Sequence, residues 1–215
     1  MKYIIGLLLV FIQFSCQSQD NKSTFATIKE PIQMNVENGM EVATLAGGCF
    51  WCTEAIFLEL KGVSKVVSGY IGGTTTNPTY KDICTGTTGH AEAIQITFDP
   101  NVVSFGELLE IFFATHDPTT LNRQGNDVGT QYRSEVFYYS DAQKKLTEDY
   151  IALMTKEKTF SNPIVTRISP ASVFYVAEEY HQNYYNYNKT QSYCSYVITP
   201  KVEKLRKNYK DKLKN

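Results

Sequence analysis

The residues with the plainest capacity for chemistry are consecutive: Gly47-Gly48-Cys49-Phe50-Trp51-Cys52. They follow an apolar run over 42–46 that reads as a buried strand. They precede a stretch over 53–60 whose apolar residues Ile56, Phe57 and Leu60 fit a helix. Two glycines at a strand-to-helix junction let the backbone turn tightly and bring its N–H groups to the surface. A cysteine there sits near the positive end of the helix dipole, which favours thiolate over thiol. The only tryptophan of the chain and a phenylalanine stand directly after it, so a nucleophile would work against an apolar wall. That combination suits sulfur chemistry on a small apolar group. The competing reading is a structural cysteine at an ordinary turn.

Three other classes stand beside it. Cys49-Phe50-Trp51-Cys52 is itself a Cys-x-x-Cys, the spacing of a thiol-disulfide oxidoreductase, although no downstream segment clearly supplies the cis-proline a thioredoxin-like site would want. Cys49, Cys52, Cys84 and His90 could be read as a structural zinc site, with no second tight pair to complete it. A lipid-anchored binding module without catalysis is the third.

Holding such a site takes a scaffold, and the remaining elements are legible in outline. A second strand over 63–70 ends at Gly72-Gly73, and a third over 91–98 stops at Asp99-Pro100. Between them, 74–89 reads as a loop of Thr, Gly and Asn containing Pro78, Tyr80 and Cys84. The helix over 104–114 opens on a capping box, Ser104 with Glu107 three residues later. A polar loop over 115–133 leads to a fourth strand over 135–139, then a helix over 141–156 with an acidic N-cap, then an edge strand over 165–168. The rest is Tyr-rich and irregular, and ends in a solvated basic helix or frayed tail. Strand-helix-strand, taken twice, predicts an α+β fold with a ferredoxin-like split βαβ core and an irregular C-terminal excursion. Two long polar loops inside one domain point to function rather than accident.

The chain has 215 residues, 42% hydrophobic and 20% charged, with a formal net charge of -1, which suits one ordinary domain with short extensions and gives no reason to expect nucleic acid. Lys2 and the apolar run over 4–14 have the size of a signal-peptide core, and Phe14-Ser15-Cys16 resembles a bacterial lipoprotein signal in which Cys16 would carry the lipid. The expected organisation is a signal over 1–15, a polar tether over 16–40, a catalytic domain over 41–200 and a basic tail over 201–215. The protein is thus expected to be exported, lipid-anchored to a bacterial envelope membrane, and monomeric.

Gly48-Cys49-Phe50-Trp51 resembles the signature of the A-type peptide methionine sulfoxide reductases. So do Asn77-Pro78-Thr79-Tyr80, Thr88-Gly89-His90-Ala91-Glu92, His116-Asp117-Pro118-Thr119 and Glu178-Glu179-Tyr180-His181-Gln182. The run Arg123-Gln124-Gly125-Asn126-Asp127-Val128-Gly129-Thr130-Gln131-Tyr132-Arg133-Ser134 is similar to a further family block, and all of them come in the family's order. Cys52 departs from the commonest form, which has a small residue there.

This resemblance implies reduction of the S epimer of methionine sulfoxide, free or in oxidised proteins and peptides, back to the thioether. It implies Cys49 as nucleophile and Glu92 as the acid that protonates the departing oxygen, with a raised pKa and a partly desolvated pocket. Tyr80 and Tyr132 would hold the sulfoxide oxygen, Asp127 would support them through water, and Phe50 and Trp51 would form the methyl slot. No bound cofactor and no metal are implied. A thioredoxin-like or dithiol reductant would regenerate the enzyme. Cys194 matches the family's resolving cysteine in members that have a single one. Cys52, one helical turn from Cys49, stays the alternative, because so short a bridge tends to be strained. Cys84 reads as packing, and His90, His116 and His181 as hydrogen-bonded structural residues.

Overall fold

The computed structural model describes residues 39–214. The signal, the lipidation site Cys16 and nearly all of the tether lie outside the described residues.

In chain order the elements are β1 (Glu41–Gly47), α1 (Phe50–Phe57), β2 (Val63–Ile71), α2 (Tyr80–Cys84), β3 (Ala91–Phe98) and α3 (Phe105–Thr115). There follow β4 (Arg123–Gln124), β5 (Asp127–Val128), β6 (Ser134–Tyr138), α4 (Asp141–Lys156), β7 (Arg167–Pro170), β8 (Tyr175–Val176), α5 (Tyr184–Tyr187) and α6 (Thr199–Asn208). Six strands form one mixed sheet in the order β7-β6-β1-β3-β2-β8, in which only β6 and β7 run parallel. The architecture is mixed α and β.

Both faces of the central strands are covered, so they read as nearly continuous apolar runs. The two-residue period sorts their side chains. Ile94, Ile96 and Phe98 of β3 enter the main core with α1 and α3, whereas Ala91 and Ala93 meet Phe137 and Phe174 on the other face. Glu92 shares the parity of Ile94, so its carboxyl projects toward the helices and lies in register opposite Tyr70 of β2. A carboxylate among those apolar neighbours needs a reason, which the site supplies.

Several boundaries differ from the sequence expectation. Helix α1 begins at Phe50 rather than 53, because Gly48 turns the chain at φ +94° and Cys49 (φ −56°, ψ 122°) already serves as its N-cap. It also ends early, at Phe57, in a turn that closes on Gly62 at φ +76°. The N-cap of α4 is Ser140, not an acidic residue, and its hydroxyl accepts from the Gln143 N–H at 3.2 Å. The loop over 74–89 contains α2, which has its own capping box between Thr79 and Asp82. The loop over 115–133 contains the β4–β5 hairpin, and the edge strand runs over Arg167–Pro170.

The basic C-terminus is integral to the domain rather than solvated. Val202 and Leu205 of α6 are each 1% exposed, one turn apart on the face toward the core. Arg206 grips Glu59 through two hydrogen bonds, Lys212 pairs with Glu107 at 2.8 Å, and Leu213 bridges to Leu60. Two apolar residues at helical spacing among lysines are enough to seat this helix. Among the described residues no helix is long and apolar enough to cross a membrane.

Candidate active site

The turn between β1 and α1 depends on Gly48: a Cβ there would stand 2.5 Å from the Cβ of Gln124. Gln124 belongs to β4, and its side-chain amide exchanges two hydrogen bonds with the backbone of Asp117. The hairpin carrying Asp127 is thereby held against the turn that carries Cys49.

Cys49 is 8% exposed, and its carbonyl starts the helix by accepting from the N–H groups of Cys52 and Thr53. The thiolate preference expected from the helix start is not what this environment produces. Burial pushes the Cys49 thiol well above its ordinary range, and a hydrogen bond with Cys52 and the charges of Cys52 and Glu92 add to it. Cys52 moves the other way, to about 7, because Cys49 donates to it, with the positive charge of Lys201 assisting and burial opposing. Desolvation of a buried sulfur outweighs the dipole of an eight-residue helix. The two thiols form a pair in which Cys52 ionises first.

Glu92 is 2% exposed, and one of its oxygens accepts from the Phe50 N–H at 3.1 Å. Burial raises its pKa to about 8; the Phe50 amide opposes this, and the charges of Asp127 and Cys52 add to it. At neutral pH the group therefore keeps its proton, bonded to the amide directly after Cys49.

The phenols around it come from different parts of the chain. Tyr80 opens α2, and its backbone N–H donates to Glu178 at 3.0 Å. Tyr132 ends a short 3₁₀ turn over Thr130–Tyr132, which Arg133 holds by donating to the Thr130 carbonyl while paired with Glu135. Burial and the charge of Glu92 raise the pKa of both phenols, so both keep their protons to donate. Asp127 accepts directly from the Tyr193 hydroxyl at 2.7 Å. That hydroxyl also lies 3.8 Å from the Cys52 sulfur.

Phe50 is 1% exposed and contacts the rings of Trp51, Tyr70, Tyr80 and His181. Trp51 stacks on Tyr184 with centroids 3.7 Å apart and planes within 7°, and its indole N–H donates to His181 Nδ1 at 3.1 Å. Cys194 opens a π-helical turn over Cys194–Ile198 in the same core cluster as Cys49 and Cys52, and it is fully buried, whereas Cys84 is exposed. All four cysteines in the described residues are free thiols.

His90 has both ring nitrogens engaged, by the Gly73 N–H and the Thr75 carbonyl, and His116 bridges the Phe112 carbonyl to Ser134. His181 lines the aromatic wall. Among the described residues no group of three or more His, Cys, Asp or Glu side chains could hold a metal ion. The zinc reading of Cys49, Cys52, Cys84 and His90 therefore has no cluster to rest on.

The site thus joins Cys49, Cys52, Glu92, Tyr80, Tyr132, Asp127, Phe50 and Trp51. Sequence reasoning missed Tyr193, which ties Asp127 to the thiol pair, and named Glu178 only inside a motif block, without the role of accepting from the Tyr80 amide and from the Tyr70 hydroxyl at 2.9 Å. Tyr193 had no signal among 15 tyrosines. Chemically, the arrangement offers a buried thiol beside a neutral carboxylic acid, phenolic donors and an apolar wall.

A family model described as peptide methionine sulfoxide reductase matches residues 41–213. A relative from Deinococcus radiodurans, peptide methionine sulfoxide reductase MsrA, is 60% identical over 174 residues, covering 81% of this chain and 84% of its own. Another MsrA, from Saccharolobus solfataricus, is 56% identical over 175 residues, covering 81% of this chain and 98% of its own. Among solved structures, reduced Mxr1 from Saccharomyces cerevisiae superimposes with a TM-score of 0.65 at 38% identity, covering 73% of this chain and 90% of that one. Methionine sulfoxide reductase A of Corynebacterium diphtheriae gives 0.65 at 35% identity, covering 74% and 79%.

Proposed function

The chain belongs to the peptide methionine sulfoxide reductase family and reduces methionine sulfoxide to methionine, and from that premise we propose how its own residues divide the work. The substrate's methyl group enters the slot of Phe50 and Trp51, which selects the S epimer. Tyr80 and Tyr132 donate to the sulfoxide oxygen. Cys49 attacks the sulfur as its proton passes to the Cys52 thiolate, the sulfur of the pair that is ionised first and so serves as the base. Glu92 protonates the oxygen, which transfers to Cys49, leaving a sulfenic acid there and releasing the thioether. The observation that carries this reading is Glu92 itself: a buried carboxyl, neutral up to about pH 8, that accepts from the amide directly after Cys49.

A second thiol then condenses with the sulfenic acid, forming a disulfide and expelling water, and a thioredoxin-like dithiol opens it. We assign this role to Cys194, whose turn packs in one core cluster with Cys49. A second reading has its own observation: Cys52 is already in hydrogen-bond contact with Cys49. One turnover on a sulfoxide peptide without reductant should yield one methionine per chain and consume two thiols. Peptide mapping is expected to show a Cys49–Cys194 link. A dominant Cys49–Cys52 link, with Cys194→Ser recycling normally, would move the role to Cys52.

Two coarser matters belong to the same reading. The strands β6-β1-β3-β2, all antiparallel and connected as β1-α1-β2 and β3-α3-β6, support a ferredoxin-like split βαβ core with 177–198 as its C-terminal excursion. The apolar run over 4–14 followed by Ser15-Cys16 supports export and a lipid anchor on an envelope membrane, and we take the catalytic unit as a monomer that acts on oxidised proteins.

A further inference from the structure

Glu54 is the one carboxylate of α1, stands 1% exposed in a helix buried almost all round, and has no part in the chemistry above. Both of its oxygens are committed. One accepts from the Asn183 N–H at 2.8 Å and the other from the Tyr184 N–H at 3.2 Å. These are backbone donors at the start of α5, and Asn183 holds a left-handed conformation (φ +51°, ψ 33°) that presents them side by side. Among the described residues no cation acts on Glu54: the groups that do are the Asn183 and Tyr184 amides and the Ser68 hydroxyl, against burial, which raises its pKa to about 7. A buried carboxylate with no counter-charge is costly, and a core helix retains one only where its hydrogen bonds fix something.

What it fixes is the backing of Trp51. Tyr184, whose N–H it accepts, is the ring stacked at 3.7 Å on the indole, and His181, three residues earlier, takes the indole N–H. Toward the sheet, the same segment is clamped separately by Gln182 on the backbone of Ser68. Toward α1, the hydrogen bonds are those of Glu54 and of Trp51 to His181, beside the ring contacts of Phe50 with His181 and of Trp51 with Tyr184. We propose that Glu54 is a positioning residue for substrate binding. It docks the start of α5 on α1 so that Tyr184 holds Trp51 in the geometry of the methyl slot. This rests on the role given to Trp51 above.

The chain has one tryptophan, so its fluorescence reports this residue alone. In Glu54→Gln one amide keeps an acceptor while the other faces an NH₂ group. The intact protein should then show red-shifted emission and steeper acrylamide quenching. KM for a methionine sulfoxide peptide should rise about five- to tenfold, the worth of one net hydrogen bond, with the single-turnover rate at saturation unchanged within about twofold. Tyr184→Leu should reproduce both effects, Tyr184→Phe should show neither, and the double variant Glu54→Gln/Tyr184→Leu should be no worse than either single, because the two act through one contact. An unmoved Trp51 emission, an unmoved KM, or additive losses in the double variant overturns the proposal. Should Glu54→Gln fail to fold, the contrast between Tyr184→Leu and Tyr184→Phe decides it by the same measures. A wild-type protein inactive on sulfoxides would instead count against the functional reading and leave the fluorescence comparison standing.

Discussion

Cys49→Ser is expected to abolish sulfoxide reduction while leaving the fold intact. A hydroxyl is close to a thiol in size but a far poorer nucleophile toward sulfur. The substitution is also favourable locally, because Cys49 is the N-cap of α1 with no side-chain cap of its own, and serine is among the preferred residues there. The melting temperature should therefore hold or rise as activity disappears, which separates lost chemistry from lost structure. Steady-state release of methionine from a sulfoxide peptide with a dithiol reductant, alongside a thermal melt, reads both. Retention of a few per cent of turnover would mean that another thiol attacks first. Cys52, brought down to about 7 beside Cys49, is the one to remove next.

Glu92→Gln is expected to slow the first turnover by roughly 10²–10⁴, the range that general acid catalysis supplies. The pH profile carries the sharper test. The wild-type carboxyl keeps its proton up to about 8 while Cys52 ionises at about 7, so the rate should rise through about 7 and fall above about 8. The variant lacks that fall, so the gap between the two should narrow in alkaline solution. Wild-type stability falls in the same pH direction. The pKa is raised from 4.5 to about 8, so the protonated group's contribution is fully present below 4.5 and is lost as pH rises through 8. Near pH 8 and above, the glutamine variant should therefore melt no lower than wild type. A pH-independent change of less than about threefold in rate would remove Glu92 from the acid role.

The parts that were legible in the sequence are those set by local chemistry. The capping box of Ser104 and Glu107, the strand over Ala91–Phe98 and the helix over Asp141–Lys156 were all readable because period and caps agree within a few residues. Cys49 stood out locally, at a Gly-Gly turn between an apolar strand and a helix, whereas Glu92 stood out only through a motif block, since an acid inside a buried strand looks locally like an edge residue. What remained hidden depends on contacts distant in sequence. The Tyr193 hydroxyl meets Asp127 across 66 positions, and the Glu54 carboxylate meets Asn183 across 129. The expected thiolate at Cys49 went astray for the same reason. The helix dipole can be read locally, but the burial that outweighs it is created by the fold.

Incubation of the protein and a dithiol reductant with a peptide bearing both sulfoxide epimers, followed by chromatographic separation of the epimers, tests the assignment of reaction and slot together. Complete conversion of the S epimer to methionine, with the R epimer left untouched, is the expected result. Equal loss of both epimers, selective loss of the R epimer, or no conversion while both remain intact would contradict it.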